Sequence, residues 1–473
     1  MISIGFRKAS RWIFFGALVY APWAYGATTS ASINTTNWVL LVALVLWVAE
    51  LLTGPRRPDL PLFLIVLTAV LACIGAWMTL NARSIYDSEF SVFVSLRNFV
   101  PFVTGSVDYA NSAAWMLRGA LLLGSILFVC DISQSSRWLL RLWYVIGLVG
   151  GSIAFLGLLQ KATGAQMIFW QPPPPPEYGV TTFFATYFYH GNAGAFLNLV
   201  WPLSAGLVIR AFSTRGKPGM RALWTIVFIV TIAGVAANTS RMAQVVALVL
   251  VVIIGFHFGP ALLRRMPGAQ KSVGIAGALA IIFALIALAQ ATHLEQPLNR
   301  WQTLSERVPE DARWQASRVA LSALPHAGFL GSGPGTFRVV FPSYNIGSGH
   351  SVPGSWRFLH QDYLQTILEW GWLGSSVWAL LFFGGIVVGI LSYKRYASLN
   401  WMPRRRVIEP LAIIALVGVA MHALVDFPFQ IESLQLYIAT YLGVCWGSSL
   451  WYDKSETVRQ RPATMVGTGM ADV

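Results

Sequence analysis

Trp356-Arg357-Phe358-Leu359-His360-Gln361-Asp362-Tyr363-Leu364 runs directly into an apolar stretch that continues to Tyr393. A run of that length exceeds the ~20 residues needed to cross a hydrocarbon core, so it reads as a membrane helix. Arg357 and His360 then stand at the mouth of that helix, where a polar cluster is costly to keep unless something uses it. The rest of the chain follows the same pattern. Charged residues make up only 11% and apolar residues 56%, against roughly a quarter charged in soluble proteins, so most segments are solvated by lipid or by one another. We therefore expect an all-α polytopic membrane protein of about twelve transmembrane helices, at 12–28, 37–53, 61–80, 113–131, 139–159, 191–209, 222–237, 242–258, 273–292, 363–392, 408–425 and 433–451.

Basic residues orient these spans, because short cytoplasmic loops collect Lys and Arg. With the N-terminus inside, most of the 33 basic residues fall on the inner side, among them Arg7, Lys8, Arg11, Arg56, Arg137, Arg141 and the Arg404–Arg406 run. Both termini are then cytoplasmic. The first span has the basic start of a signal peptide and small residues near Tyr25-Gly26-Ala27, but eleven further spans favour an uncleaved first helix. The net charge of +14 does not imply nucleic acid as a partner, since the inner charges sit in separate short loops that need nothing beyond anionic membrane lipids. Cys73, Cys130 and Cys445 lie far apart inside expected spans, so they read as small core residues rather than a disulfide framework or a metal knuckle.

The outer side is less ordinary. It collects arginines that the topology rule disfavours, including Arg241, Arg313, Arg338 and Arg357, and an anionic ligand is the natural reason for them. Arg241 is the sharpest case, in Asn238-Thr239-Ser240-Arg241 at an outer tip between two spans. Four outer segments organise this face. An interfacial helix is expected around Phe90 to Phe102, and Pro172 to Pro176 reads as an extended polyproline spacer. The segment from His293 to His360 is too long for a structureless connector, so it should fold against the bundle. Within it Arg313-Trp314-Gln315 leads an amphipathic helix to Leu324, followed by the turn-rich Gly328-Phe329-Leu330-Gly331-Ser332-Gly333-Pro334-Gly335-Thr336-Phe337. The fourth is Val425-Asp426-Phe427-Pro428-Phe429-Gln430, with His422 one turn before Asp426.

Gly331, Gly333 and Gly335 lack the preceding strand and following crossover of a dinucleotide loop, and read instead as a turn that lets backbone approach a ligand or the membrane. No zinc-protease helix motif, nucleophile elbow or metal-spaced Cys and His cluster occurs, and Asp362 with Glu369 is too weak a pattern for a metal site. No metal or other cofactor is expected.

The order of motifs resembles a known family. Tyr189-His190-Gly191-Asn192 opens a span that contains Pro202, Thr239-Ser240-Arg241 marks an outer tip, and Arg313-Trp314 precedes the glycine-rich turn. His360-Gln361-Asp362-Tyr363-Leu364-Gln365, Glu369-Trp370-Gly371-Trp372-Leu373-Gly374 and His422-Ala423-Leu424-Val425-Asp426 follow. Over about residues 180–430 this resembles the O-antigen ligase and O-antigen polymerase superfamily. The resemblance implies a metal-independent membrane glycosyltransferase of the GT-C type in the bacterial inner membrane, with its site facing the periplasm. It divides the chain into N-terminal transmembrane helices (1–180), a catalytic membrane domain (181–450) that includes a periplasmic loop (293–362), and a cytoplasmic tail (451–473). The donor would be an undecaprenyl-diphosphate-linked glycan. The acceptor would be a sugar hydroxyl on lipid A core for a ligase, on another lipid-linked repeat for a polymerase, or a protein serine in a third branch. The family's outer-tip arginine falls on Arg241, its large-loop arginine on Arg313 and its histidine on His360, while Gln361 stands where Asn is commoner.

The chemistry asks for the same residue types. Displacing a diphosphate builds negative charge on the leaving oxygens, which fixed guanidinium groups stabilise in the transition state. Arg241 and Arg313 suit that role, with Arg357 and Arg338 in reserve and Asn192 as a further ligand contact. His360 in neutral form can take the acceptor's proton, and neighbouring arginines are expected to disfavour its cation. The expected reaction is a single displacement that inverts the anomeric centre. The competing class is a transporter of lipid-linked glycans, which places ionisable residues near the midplane of repeated halves. Here the polar residues gather on one face and no internal repeat is visible.

Overall fold

The structure is a computed structural model that describes residues 2–172, 182–213, 217–265, 312–348, 352–396 and 403–451. Its helices are α1 (Ile2–Trp23), α2 (Ser30–Thr53), α3 (Leu62–Leu80), α4 (Tyr109–Ser133), α5 (Ser136–Ala162), α6 (His190–Ser213) and α7 (Pro218–Ala237). After these come α8 (Arg241–Arg265), α9 (Ala312–Ala323), α10 (Phe337–Gly347), α11 (Asp362–Tyr396), α12 (Pro403–His422) and α13 (Glu432–Ser448). Among the described residues, eight helices, α2 to α8 and α11, are long and apolar enough to cross a membrane. The spans expected at 12–28, 408–425 and 433–451 correspond to α1, α12 and α13, which are shorter in their apolar part or more polar. The span expected at 273–292, most of the proline run and the first part of the long outer loop lie outside the described residues.

Helices that face lipid need no polar stripe, so close contact and interhelical hydrogen bonds decide which faces meet. α6 and α13 occupy the centre. The most apolar part of α6 is 72% buried, against 17% for α8, and every residue of α13 except Gln435 is buried. Gly443 and Gly447 let α13 lie against the backbone of α4, where a Cβ would come within 2.7 Å of the Ile126 carbonyl and 2.9 Å of the Cys130 carbonyl. Tyr437 donates to the Leu18 carbonyl in α1 at 3.0 Å, and Tyr441 to the Leu199 carbonyl in α6 at 2.7 Å.

Two local expectations are corrected. The segment expected to form an interfacial helix at Phe90 to Phe102 instead begins with β2 (Val92–Ser95), which pairs antiparallel with the preceding β1 (Ser84–Asp87). The Asp87 carboxylate accepts the Glu89 and Phe90 amides, which makes the turn, and Val92-Phe93-Val94 suits a pleated strand better than a helix. Cys73 is exposed on α3 rather than in the core, while Cys130 and Cys445 are buried as expected.

The described part of the loop between α8 and α11 has its own small core, in which Ala316, Val319 and Ala320 of α9 and Phe337 and Phe341 of α10 pack with Leu359 and Leu368. Its glycine-rich turn packs against α11. It completes a broken helix. At Gly371 α11 leaves helical geometry (φ 63°, ψ −172°), in a region open essentially to glycine alone. The Leu368 and Glu369 carbonyls, freed by the break, accept the Ser332 and Gly333 amides at 2.9 Å each. The Trp372 and Leu373 amides turn instead to the Gly328 and Phe329 carbonyls, at 3.3 and 3.0 Å. The inserted turn thereby satisfies the backbone groups that lipid could not.

Candidate active site

The site forms where α11 begins. Gln361 caps that helix, its Oε1 accepting the Leu364 amide at 2.6 Å. His360 immediately before the cap takes a left-handed backbone conformation (φ 61°), uncommon for a residue with a side chain. Leu359 holds the approach, with its side chain fully buried in the loop core and its amide bonded to Gln365 Oε1 at 3.0 Å. The strained backbone turns the imidazole toward the connection between α12 and α13.

That connection carries Asp426. Its Oδ1 lies 3.1 Å from His360 Nδ1 and also accepts the Phe427 amide at 3.1 Å. Its Oδ2 accepts the Tyr189 hydroxyl at 3.0 Å, and His422 Nε2 stands 3.6 Å away, within ion-pair reach but beyond a good hydrogen bond. The Asp426 carboxyl is buried, which alone would raise its pKa, but the hydrogen bond from His360 and the nearness of the His360 and His422 rings hold it well below the usual carboxylate range. Burial, and next the Asp426 charge, push the Tyr189 phenol upward. Both groups therefore keep fixed protonation states around neutral pH. The connection is itself pinned to α11, because Asp362 accepts the Phe429 amide at 2.7 Å and the Gln430 side chain at 3.1 Å.

Aromatic rings close the sides. Phe427 meets the His360 ring edge-on at 4.5 Å and stacks on Tyr189 at 5.4 Å and on Phe358 at 4.9 Å. Trp356 stands 6.0 Å from His360. The His360 side chain keeps 19% of its surface exposed, against 5% for Asp426, so the imidazole is the accessible member of the pair.

The arginines expected from the sequence are distributed around this pair. Arg313 on α9 places its guanidinium 5.7 Å above the Tyr189 ring, one aromatic residue from Asp426. Arg241 opens α8 at the tip that leans on α6, where Asn238 donates to the His190 carbonyl at 3.0 Å and Asn198 to the Ala243 carbonyl at 2.8 Å. The adjoining Gly191 is so near the carboxylate that a Cβ there would meet Asp426 Oδ2 at 2.3 Å. Arg357 lies over Phe358 at 5.4 Å and senses the charge of Arg338, and both are exposed. Asn192 is buried, with Oδ1 lacking a hydrogen-bond partner among the described residues.

The charged group in hydrogen-bond contact with the His360 ring is a carboxylate, a partner that the sequence reading did not give it. Sequence reasoning linked Asp426 only to His422 and gave Tyr189 no role. The available signal was an acidic residue in an outer connection beside aromatics, which becomes informative only once folding brings it to His360. Glu369 is accounted for structurally, because its Oε1 accepts the amide of Phe337 at the start of α10 at 3.0 Å. Among the described residues no group of three metal-ligating side chains converges.

Residues 225–379 match the family model described as O-Antigen ligase. The match is narrower than the motif order suggested, and spans Arg241, Arg313, Arg338, Arg357 and His360 while leaving Asn192, Tyr189 and Asp426 outside. No curated protein matches the chain.

Proposed function

This multi-pass membrane protein carries an O-antigen ligase domain of the O-antigen ligase and polymerase superfamily, and from that premise we propose that it transfers a glycan from undecaprenyl diphosphate to a sugar hydroxyl at the periplasmic face of the bacterial inner membrane. The observation that carries the proposal is the His360 Nδ1 to Asp426 Oδ1 hydrogen bond at 3.1 Å, with the imidazole partly exposed and the Arg313 guanidinium over the neighbouring Tyr189 ring.

Asp426 stays ionised and accepts from Nδ1–H, which leaves His360 Nε2 as the lone-pair nitrogen. The acceptor hydroxyl gives its proton to Nε2 as its oxygen bonds to the anomeric carbon. The bond from that carbon to the diphosphate oxygen breaks on the opposite face, and its electron pair leaves with the diphosphate. Arg313 and Arg241 stabilise the charge that grows there, with Arg357 and Arg338 at the exposed edge and Asn192 contacting substrate. Attack and departure on opposite faces invert the anomeric centre. The acceptor we favour is lipid A core, which makes the protein a ligase in lipopolysaccharide assembly.

The test incubates purified protein and undecaprenyl-diphosphate oligosaccharide, with or without lipid A core, in chelator. Glycan on the core is the expected product. A ladder of longer lipid-linked glycans formed without core would replace ligase by polymerase, and retention of anomeric configuration would overturn the single displacement.

A further inference from the structure

A second polar site lies at the other end of the bundle. The C-terminal end of α1 belongs to the His360 end, since the Pro22 carbonyl accepts from Thr186 at 2.6 Å and the Gly26 carbonyl from Ser433 at 2.7 Å. The N-terminal end of α1 is then ~30 Å away, at 1.5 Å rise per residue. There the ends of α1, α2, α4 and α5 surround a cavity of about 530 Å³ lined by six cationic side chains, Arg7, Lys8, Arg11, Arg56, Arg137 and Arg141.

Two of these cations are committed to internal carboxylates. Arg7 pairs with Glu50 at 2.6 Å, and Arg56 pairs with Glu50 at 3.3 Å and with Asp131. Asp131 and Asp59 line the cavity and Glu50 is buried behind it, so three carboxylates face six cations and leave an excess of positive charge. Arg11 and Arg141 are held by aromatic faces, Arg11 at 5.0 Å over Trp138 and Arg141 at 4.6 Å over the same ring. Gln134 and Ser135 bring the start of α5 to the cavity, and Ser135 gives that helix no side-chain cap. Convergent guanidinium groups beside an uncapped helix N-terminus suit the oxygens of a phosphate.

The rim indicates which phosphate. Ile4 is 52% exposed and Trp12 54% exposed, with Trp12 packed edge-on against Trp138 at 5.7 Å. A soluble anion would leave these apolar side chains uncovered, whereas acyl chains would lie along them. We propose that this cavity binds the phosphodiester headgroup of an anionic phospholipid, a lipid site separate from the His360 site and independent of the reaction assigned to it. Arg137 and Arg141 are the cations best placed to hold it, being on α5 beside the helix N-terminus and outside the Arg7–Glu50–Arg56–Asp131 network.

Native mass spectrometry of the full-length protein in detergent tests this, using phosphatidylglycerol, phosphatidylethanolamine and inorganic phosphate as probes. Wild type should retain phosphatidylglycerol at least ten-fold more strongly than phosphatidylethanolamine. Arg137→Gln/Arg141→Gln should weaken that binding by roughly 10- to 30-fold, in line with the contribution of two basic residues at an anionic membrane surface, while Arg137→Lys/Arg141→Lys keeps most of it. Equal retention of the two lipids by wild type would overturn the proposal without recourse to any variant. Unchanged binding in a folded double Gln variant would do the same. Displacement of phosphatidylglycerol by millimolar inorganic phosphate would assign the cavity to a soluble anion instead.

Discussion

The two ends of the helix bundle solve the same problem with different partners. At both ends buried carboxylates sit among groups that can be positive, Asp426 at one and Glu50 with Asp131 at the other. At the Glu50 end the partners are arginines, which stay protonated in proteins, so the cluster can hold charge but cannot exchange a proton. At the Asp426 end the partner is an imidazole whose second nitrogen is left for something else, in a side chain that remains partly exposed. Ion pairing is therefore common to both, and the capacity for acid–base chemistry belongs to one.

The largest test of that contrast is activity. His360→Ala should lower glycan transfer by about 10²- to 10⁴-fold, the usual range for a general base, and should also lower the unfolding temperature, because the buried Asp426 carboxylate loses a partner. Wild-type turnover in this variant would remove His360 from the mechanism. Asp426→Asn should act through His360, lowering kcat more than KM, because the orienting acceptor is lost and substrate contacts remain. The same variant has a pH signature. The native Asp426 pKa is depressed, so the stability its charge contributes is present above the ordinary carboxylate pKa of ~3.9 and lost as pH falls below that value. The gap in unfolding temperature between wild type and Asp426→Asn should stay flat from about pH 5 to 8 and close in stronger acid. A gap that widened with acid would contradict the assigned charge state.

Gly371→Ala comes next. A Cβ at this position would lie 2.4 Å from the Phe329 carbonyl oxygen on a backbone that only glycine adopts easily, so a stability loss of ~3 kcal/mol is expected. It should be read by thermal unfolding together with faster proteolysis of the outer loop. Glu50→Gln should have the smallest effect. It removes the shared partner of Arg7 and Arg56, but those arginines are partly exposed and can hydrate, so about 1–2 kcal/mol of stability is at stake. Transfer activity should survive. A catalytic loss as large as that of His360→Ala would mean that the two ends are coupled.

Much of the fold was legible because lipid simplifies the rules. The apolar runs that became α2 to α8 and α11 follow from length and hydropathy alone, and α9 was visible as an amphipathic segment beginning near Arg313. The hairpin at Ser84–Ser95 is hard to see in the sequence because the strand preference of Val92-Phe93-Val94 covers only three residues, too few to decide until the Asp87 turn is considered. The glycine-rich turn was recognised as a point of close approach, yet what it approaches is 36 residues away at Leu368.

Composition was sufficient to establish a polytopic membrane protein, and the order of motifs to single out its histidine and arginine candidates. Those properties are local, or sum over the chain, and do not depend on which helices touch. The partner of His360 lies 66 residues away in sequence, and Tyr189 a further 237 from Asp426, with no periodicity to join them. Their meeting depends on α6, α11, α12 and α13 packing with one register at one end, and on a left-handed turn at His360 that aims the ring. Side-chain chemistry alone identifies groups able to carry a proton or a charge, but hydrogen-bond geometry within about 3 Å chooses among them, and that distance exists only after the helices have packed.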